Sequence, residues 1–155
     1  MTDLLDVNVL VALAWPNHVH HGTAHQWFRR RGPEPWATTP ITESGFVRVS
    51  SNRAALPTAV APAEALALLE RMRLVAGHRF LPDDVELVVG TGAGGMVDRE
   101  RVVTHGLVAD AHLLALARRH GARLATLDRG AAALASPDVA DVVLVGAPPV
   151  PPGAG

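Results

Sequence analysis

Short apolar runs alternate with longer segments of helical periodicity along most of the chain. Apolar runs bounded by turn residues predict strands at residues 4–5, 36–38, 123–127 and 142–145. Apolar positions spaced by three and four residues predict helices at residues 9–14, 18–31, 42–50, 62–76, 107–120 and 131–135. Short strands that alternate with helices are typical of an α/β fold, in which helices cover both faces of a mostly parallel sheet. We therefore expect a three-layer α/β/α domain.

Some regions have no clear periodicity. Residues 78–81 and 85–89 are either β-like or short connecting segments, and residues 90–101 form a glycine-rich, charged loop whose structure the pattern does not fix. The Pro- and Gly-rich tail at 147–155 is expected to be disordered. No linker or internal repeat divides the remainder, so a single domain is predicted over residues 1–146.

Composition removes several classes of function. The 155 residues include no cysteine and no lysine, which excludes disulfide frameworks, cysteine-ligated metals, Schiff-base enzymes and the lysine of a P-loop. The net charge is −1, so any binding of nucleic acid must come from a local group of the 14 arginines. The N-terminus does not resemble a signal peptide and no apolar run is long enough to span a membrane, so we expect a cytoplasmic protein.

Two acidic residues lie on the apolar faces of predicted helices. Asp110 is followed by leucines three and four positions later, and Glu43 is followed at the same spacing by Phe46 and Val47. A side chain on such a face points toward the interior. Because burial of a lone carboxylate is costly, each acid needs a cation, a hydrogen-bond network or a raised pKa.

Two further acids come directly after predicted strands. Asp6 follows the first strand and Asp128 follows the strand at 123–127. Ligands of open α/β sheets collect at the carboxyl ends of the strands, so neighbouring strands would bring these two acids to one edge, where Glu43 and Asp110 could cover them. Four carboxylates would repel one another there, and Mg²⁺ or Mn²⁺ would relieve that repulsion. A simpler interpretation stays open for each acid alone, such as a helix cap at Asp128.

Four segments together resemble the acidic motifs of PIN-domain ribonucleases, and most of all those of the VapC toxins of bacterial toxin–antitoxin pairs. The segments are LLDVNVLVAL, TESGFVRV, VADAHLLALA and LATLDRG, in that order. The resemblance implies a PIN-like fold and a catalytic quartet of Asp6, Glu43, Asp110 and Asp128. In that quartet Asp6, Asp110 and Asp128 would bind one or two Mg²⁺ or Mn²⁺ ions, and Glu43 would be a ligand or a base acting through water.

The same resemblance implies supporting residues and partners. Asn8 and Thr126 match polar residues that orient carboxylates or waters, and Arg48 could contact RNA or the acids. The implied activity is metal-assisted, endonucleolytic hydrolysis of structured RNA such as transfer or ribosomal RNA. A VapB-type antitoxin and a homodimer are also implied. One departure is Ala109, which stands where such toxins often have threonine before the third acid.

Three other interpretations compete with the nuclease. A PIN-like scaffold could bind RNA without cutting it. Residues 90–95 spell G-x-G-x-x-G, the pattern of a dinucleotide-binding loop, although that pattern belongs after a strand near the start of a fold. The spacing of His18, His21 and His25, with His20 beside them, could suit zinc, but exposed or capping roles are favoured because no acid lies nearby in the sequence.

Overall fold

The structure is a computed structural model that describes residues 1–92, 95–135 and 141–147. These residues form five strands and seven α-helices around one sheet. The elements in chain order are β1 (Asp3–Leu5), α1 (Val7–Ala14), α2 (His21–Arg30), β2 (Trp36–Thr38), α3 (Pro40–Ser50), α4 (Pro62–Arg73), β3 (His78–Phe80), α5 (Leu87–Gly90), a 3₁₀ turn (Arg99–Arg101), α6 (Leu107–Arg119), β4 (Arg123–Thr126), α7 (Arg129–Ala132) and β5 (Val142–Leu144). None of the described helices combines the length and the apolar character that a membrane span requires.

All five strands run parallel, in the order β3-β2-β1-β4-β5. The first strand therefore lies at the centre, with Leu4 opposite Ala37 on one side and opposite Leu124 on the other. Because parallel strands share their direction, every strand delivers its following residues to the same edge of the sheet. The predicted parallel α/β architecture is confirmed.

Helices cover both faces of the sheet, as the alternation of the strand residues requires. Leu4 and Leu124 are fully buried against α6, whereas Leu5 and Ala125 point to the other face and pack with α1, α3 and α4. Residues 4–5 and 124–125 are all apolar because neither face of the sheet meets water at these positions. The three-layer α/β/α arrangement follows directly.

Several boundaries differ from the sequence-based expectation. Residues 87–90 form the short helix α5 rather than a β-like or connecting segment, and the loop at 90–101 contains the 3₁₀ turn. Helix α7 begins at Arg129 instead of residue 131, because the Asp128 carboxylate accepts a hydrogen bond from the Gly130 N–H and caps the helix. The predicted disorder of the tail falls almost wholly on residues 148–155, which lie outside the described residues.

Two histidines close the C-terminal end of α1. The ring of His21 lies 2.8 Å from the Ala12 carbonyl through Nδ1, and the ring of His25 lies 2.9 Å from the Leu13 carbonyl through Nε2. Carbonyls at this end of a helix lack an intrahelical partner, so each ring N–H satisfies one of them. The capping role favoured for this histidine cluster is thus the one the structure contains.

The amino edge of the sheet is tied together by a buried ion network. Asp3 is fully buried, and its two carboxylate oxygens accept hydrogen bonds from Arg31 Nε at 2.6 Å and Arg123 Nε at 2.8 Å. The Arg31 guanidinium also bonds the Pro35 carbonyl and lies against the rings of Trp27 and Phe28. Two cations therefore compensate one buried anion at this edge.

Replacement of Gly45 by alanine is expected to destabilise the fold, because helix α3 crosses α1 with no room for a side chain there. A Cβ at Gly45 would lie 2.5 Å from Val7 Cγ2. Overpacking of this kind costs about 1–3 kcal/mol, which exceeds the gain of up to about 1 kcal/mol in helix propensity. Thermal melting should show a lower Tm for Gly45→Ala.

Gly22→Ala is the matched control, because nothing lies within 4 Å of a Cβ built at that helical position. It should leave Tm unchanged or raise it slightly through helix propensity. Equal effects of the two substitutions would contradict the close helix crossing.

Candidate active site

Asp6 and Asp128 lie at the carboxyl edge of the two central strands. Asp6 follows β1 directly, and its backbone N–H donates to the Ala125 carbonyl of β4 at 2.9 Å. Its side chain is nearly enclosed, with 6% of the residue's surface exposed. Asp128 follows β4 and is exposed. The pairing of β1 with β4 thus brings together two acids that are far apart in the sequence.

The hydroxyl of Thr126 is the centre of the hydrogen-bond network between them. It donates to Asp6 Oδ2 at 2.7 Å and accepts from the Asp128 backbone N–H at 3.0 Å and from Asn8 Nδ2 at 3.2 Å. The Asn8 Oδ1 atom in turn accepts from the Leu127 N–H at 3.1 Å. This hydroxyl uses its donor and both acceptor positions. Thr126 therefore bonds the Asp6 carboxylate directly, and Asn8 bonds the Thr126 hydroxyl.

Asp110 reaches the same edge from the first turn of α6. It lines a cleft of about 580 Å³ that we term the acidic cleft, which also contains Asp6. The other residues of the acidic cleft come from α1, α3 and α6: Val7, Pro40, Ile41, Ser44, Gly45, Arg48, Val49, Ala109 and Leu113. Arg48 thus lies in the same cleft as two of the acids.

Burial and neighbouring negative charge raise the pKa values of Asp6 and Asp110. The pKa of Asp110 is raised from 3.8 to about 6, chiefly by burial and further by the negative charges of Asp6 and Asp128. Burial also raises the pKa of Asp6, with a further contribution from Asp128, while hydrogen bonds from Thr126, the Val7 N–H and Asn8 oppose the rise. A carboxylate whose pKa is raised in this way lacks a compensating cation.

Glu43 makes its contacts outside the group of three aspartates. Its Oε1 atom accepts a hydrogen bond from the Thr38 hydroxyl at 2.7 Å and lies 3.5 Å from Arg73 Nη1. Because the Thr38 hydroxyl gives its proton to Glu43, it accepts from His78 Nε2, at 2.8 Å. The structure therefore brings three of the four predicted acids together and ties the fourth to β2, β3 and α4.

A separate groove contains this Glu43 cluster. We term it the α3–α4 groove; it has a volume of about 800 Å³ and is lined by Glu43, Ala63, Leu66, Ala67, Leu69, Glu70, Arg73, Leu74 and His78. Burial and the positive charge of Arg73 lower the pKa of His78, and Glu43 opposes that shift. Sequence reasoning did not single out Thr38, Arg73 or His78. A hydroxyl residue at a strand end, five positions before a helical acid, was the available signal for Thr38.

The donor set at the carboxyl edge suits a hard divalent cation. Asp6, Asp110 and Asp128 offer only oxygen, and their mutual repulsion is the condition that a cation relieves. Across residues 1–92, 95–135 and 141–147, no three histidine, aspartate or glutamate side chains converge tightly enough to enclose one ion. Mg²⁺ commonly takes one or two carboxylates and keeps several waters, so the aspartates fit without such a cage.

The glycine motif does not have the structural context of a dinucleotide-binding loop. Gly90 is the last residue of α5, so the motif follows a helix instead of a strand. Gly92 and Gly95 come after it, with residues 93–94 between them outside the described part of the chain. The motif requires a strand before it and a helix that opens on its glycines, so this interpretation is wrong.

Residues 4–137 match the family model of the PIN domain. Ribonuclease VapC39 of Mycobacterium tuberculosis is 52% identical to the chain over 143 residues, which are 92% of this chain and 100% of that protein. Ribonuclease VapC38 of the same organism is 51% identical over 132 residues, covering 85% of this chain and 89% of that protein. These similarities extend over nearly all of the chain.

Two solved structures share the fold. One is the crystal structure of VapC20 from Mycobacterium tuberculosis, described as a Sarcin-Ricin loop cleaving toxin, with a TM-score of 0.58 and 19% identity over 84% of this chain and 93% of that chain. The other is FitAcB from Neisseria gonorrhoeae, with a TM-score of 0.54 and 23% identity over 83% of this chain and 89% of that chain. At these identities the likeness supports the fold alone.

Asp110→Asn is expected to stabilise the metal-free protein near neutral pH. The folded chain holds the Asp110 proton up to a pKa of about 6, whereas the unfolded chain loses it near the ordinary value of 3.8. Stability of the wild type therefore falls as the pH rises through this interval, and the asparagine removes the loss. Allowing for partial exposure, the gain is on the order of 1 kcal/mol, or about 2–4 °C in Tm.

Melting curves recorded with a chelator at several pH values measure this difference. The gap in Tm between Asp110→Asn and wild type should narrow as the pH falls through about 6 and close well below 3.8, where both folded and unfolded wild type are protonated at Asp110. Glu100→Gln, at an exposed carboxylate, should show no such gap. A gap that does not change with pH would contradict the repulsion among the aspartates.

Proposed function

The chain belongs to the PIN-domain family as a relative of the VapC ribonucleases, and on that premise we propose that it is a divalent-metal-dependent endoribonuclease toxin. The observation that carries the proposal is the convergence of three aspartates at the carboxyl edge of the sheet. The Asp6 carboxylate and the Asp128 backbone N–H bond the Thr126 hydroxyl, and Asp110 lies close enough for the charges of both to raise its pKa. We assign the catalytic roles to Asp6, Asp110 and Asp128, together with Glu43.

Asp6, Asp110 and Asp128 would hold one or two Mg²⁺ or Mn²⁺ ions. When bound, such an ion supplies Lewis acidity toward phosphate oxygens and activates water for hydrolysis of a phosphodiester. The residues of the chain itself orient the carboxylates. The Thr126 hydroxyl fixes one oxygen of Asp6, and Asn8 holds that hydroxyl and the Leu127 backbone in register. Arg48 in the acidic cleft would bind a substrate phosphate.

Glu43 completes the proposed catalytic set from the neighbouring groove. Its carboxylate is fixed by the Thr38 hydroxyl and faces Arg73, and its helix α3 also carries Arg48 and lines the acidic cleft. From that position we propose that Glu43 acts through water rather than by direct contact with the three aspartates.

The proposed substrate is structured RNA, of the transfer or ribosomal class. Support comes from the ribonuclease names of the similar proteins and from the shared fold with a toxin described as cleaving the Sarcin-Ricin loop. The same membership supports neutralisation by a cognate VapB-type antitoxin and assembly as a homodimer. A cationic antitoxin side chain that enters the acidic cleft would suit the uncompensated aspartates.

Asp6→Asn is expected to abolish cleavage of RNA, because Asp6 is the most rigidly held of the acids. Purified wild type should cut total tRNA or rRNA when Mn²⁺ or Mg²⁺ is present and should stop when a chelator is added. We expect Asp6→Asn to lower the rate by about 100-fold or more. Asp83→Asn is the matched control, because Asp83 bonds His112 outside the acidic cleft.

Gel analysis of RNA fragments separates the outcomes. Cleavage that continues in the chelator, or that survives Asp6→Asn, would overturn the nuclease assignment. RNA binding by wild type with no cleavage under any divalent metal would support the scaffold interpretation instead.

Glu43→Gln is expected to lower the cleavage rate by about 10–100-fold, the range typical of residues that support a metal site from outside it. The amide can still accept the hydrogen bond from Thr38, so folding should survive while the negative charge beside Arg73 is lost. Glu70→Gln removes a charge from the same groove and is the control. Equal rates for the two variants would remove Glu43 from the catalytic set.

A further inference from the structure

We propose that a second cleft, on the far side of the aspartates from Arg48, binds a phosphate of the RNA backbone through Arg129. This inference rests on the proposed function and extends it to the path of the substrate. The cleft, which we term the lateral cleft, has a volume of about 310 Å³. It is lined by His20, Thr23, Leu127, Arg129, Leu144, Val145, Gly146 and Ala147.

The lateral cleft adjoins the aspartates through the chain itself. Leu127 and Arg129, which line the lateral cleft, are the two neighbours of Asp128. Asp128 is joined through the Thr126 hydroxyl to Asp6, and Asp6 lines the acidic cleft. The acidic cleft with Arg48 is lined in part by residues that follow β1 and β2, and the lateral cleft with Arg129 in part by residues that follow β4 and β5. In the strand order β3-β2-β1-β4-β5 the two clefts therefore extend to opposite sides of Asp6 and Asp128.

The positive charge of Arg129 suits the lateral cleft to an anion such as phosphate. Within the described ranges, the arginines that pair with a carboxylate are Arg31, Arg73, Arg101, Arg118, Arg119 and Arg123. Arg129 is exposed and is not among them. An RNA strand that approaches three carboxylates is repelled, so cations on both sides are needed to hold its phosphates near the site. Arg129 offers a planar fork that suits a phosphate.

The walls of the lateral cleft contribute further donors and a fixed shape. Thr23 and His20 offer a hydroxyl and an imidazole at the start of α2. The chain after β5 approaches α2 so closely that a Cβ at Gly146 would lie 2.6 Å from Thr23 Cγ2. Gly146 also has φ of +91°, which other residues rarely adopt. This close approach fixes one wall of the lateral cleft.

An endonuclease must hold its substrate on both sides of the bond that it cuts. A strand that enters along Arg48 and leaves along Arg129 passes over Asp6, Asp110 and Asp128 on the way. The two clefts therefore account for a continuous RNA path, with the aspartates in the middle and one arginine contact on each side. Because these contacts go to phosphates, they would add affinity without sequence preference.

Binding of a short, fluorescein-labelled RNA of mixed sequence tests the path. Anisotropy is measured in a chelator, so that no cutting occurs, at salt concentrations between about 50 and 200 mM. Arg129→Gln should weaken binding about threefold to tenfold at the low end and reduce the slope of log K against log salt by about 0.7, the loss of one phosphate contact on a single strand. Arg48→Gln should behave likewise, and the double variant should show the sum.

Arg30→Gln is the matched control for charge. Arg30 is exposed and precedes Arg31, which binds Asp3 at the opposite edge of the sheet. An Arg129→Gln variant that matches Arg30→Gln in affinity and salt slope would overturn the inference, and so would weaker binding with an unchanged slope. Failure of wild type to bind or cut any RNA would instead overturn the proposed function, so the two failures are distinguishable.

Discussion

Electrostatic repulsion among carboxylates at the carboxyl edge of the sheet is the constraint around which the functional half of this molecule is arranged. Asp6 is nearly buried, the charge of Asp128 contributes to its raised pKa, and the charges of Asp6 and Asp128 both contribute to the raised pKa of Asp110. Carboxylates of like charge stay close together in a buried site only when the backbone holds them there against their repulsion. Here the pairing of β1 with β4 and the hydrogen bonds of the Thr126 hydroxyl fix the positions of Asp6 and Asp128.

The buried aspartates at the two ends of β1 differ in whether a cation compensates their charge. Asp3 and Asp6 are both buried aspartates three residues apart, one at each edge of the sheet. Asp3 meets two arginines and forms a compensated network, whereas Asp6 meets further aspartates and, in the described part of the chain, no ion-pair partner. The first arrangement stabilises the fold. The second arrangement keeps negative charge available for a cation. The packing of the rest of the sheet offsets the cost of the repulsion among these carboxylates.

Much of the fold could be predicted from local pattern, since strand positions buried on both faces, such as 4–5 and 124–125, are apolar and helices show their period. The same logic placed Asp6 and Asp128 at strand ends and Asp110 on an inward helix face. Glu43 shows the limit of that logic. Its face was evident from Phe46 and Val47, but the choice between the aspartates and Thr38 depends on how α3 and α4 pack, which spacing does not encode. The helix at 87–90 was missed because four residues are too few to display a period.

The contact between Thr126 and Asp6 joins residues that are 120 positions apart. During synthesis, which delivers the N-terminal segments first, a nascent chain can build β1 and the helices up to α6 while the ribosome still holds β4. In that state Asp6 lacks both its orienting hydroxyl and its neighbour Asp128. The contacts of Asp6 with Thr126 and Asp128 therefore cannot form until β4 has been synthesised, so the acidic edge is absent from any shorter nascent chain.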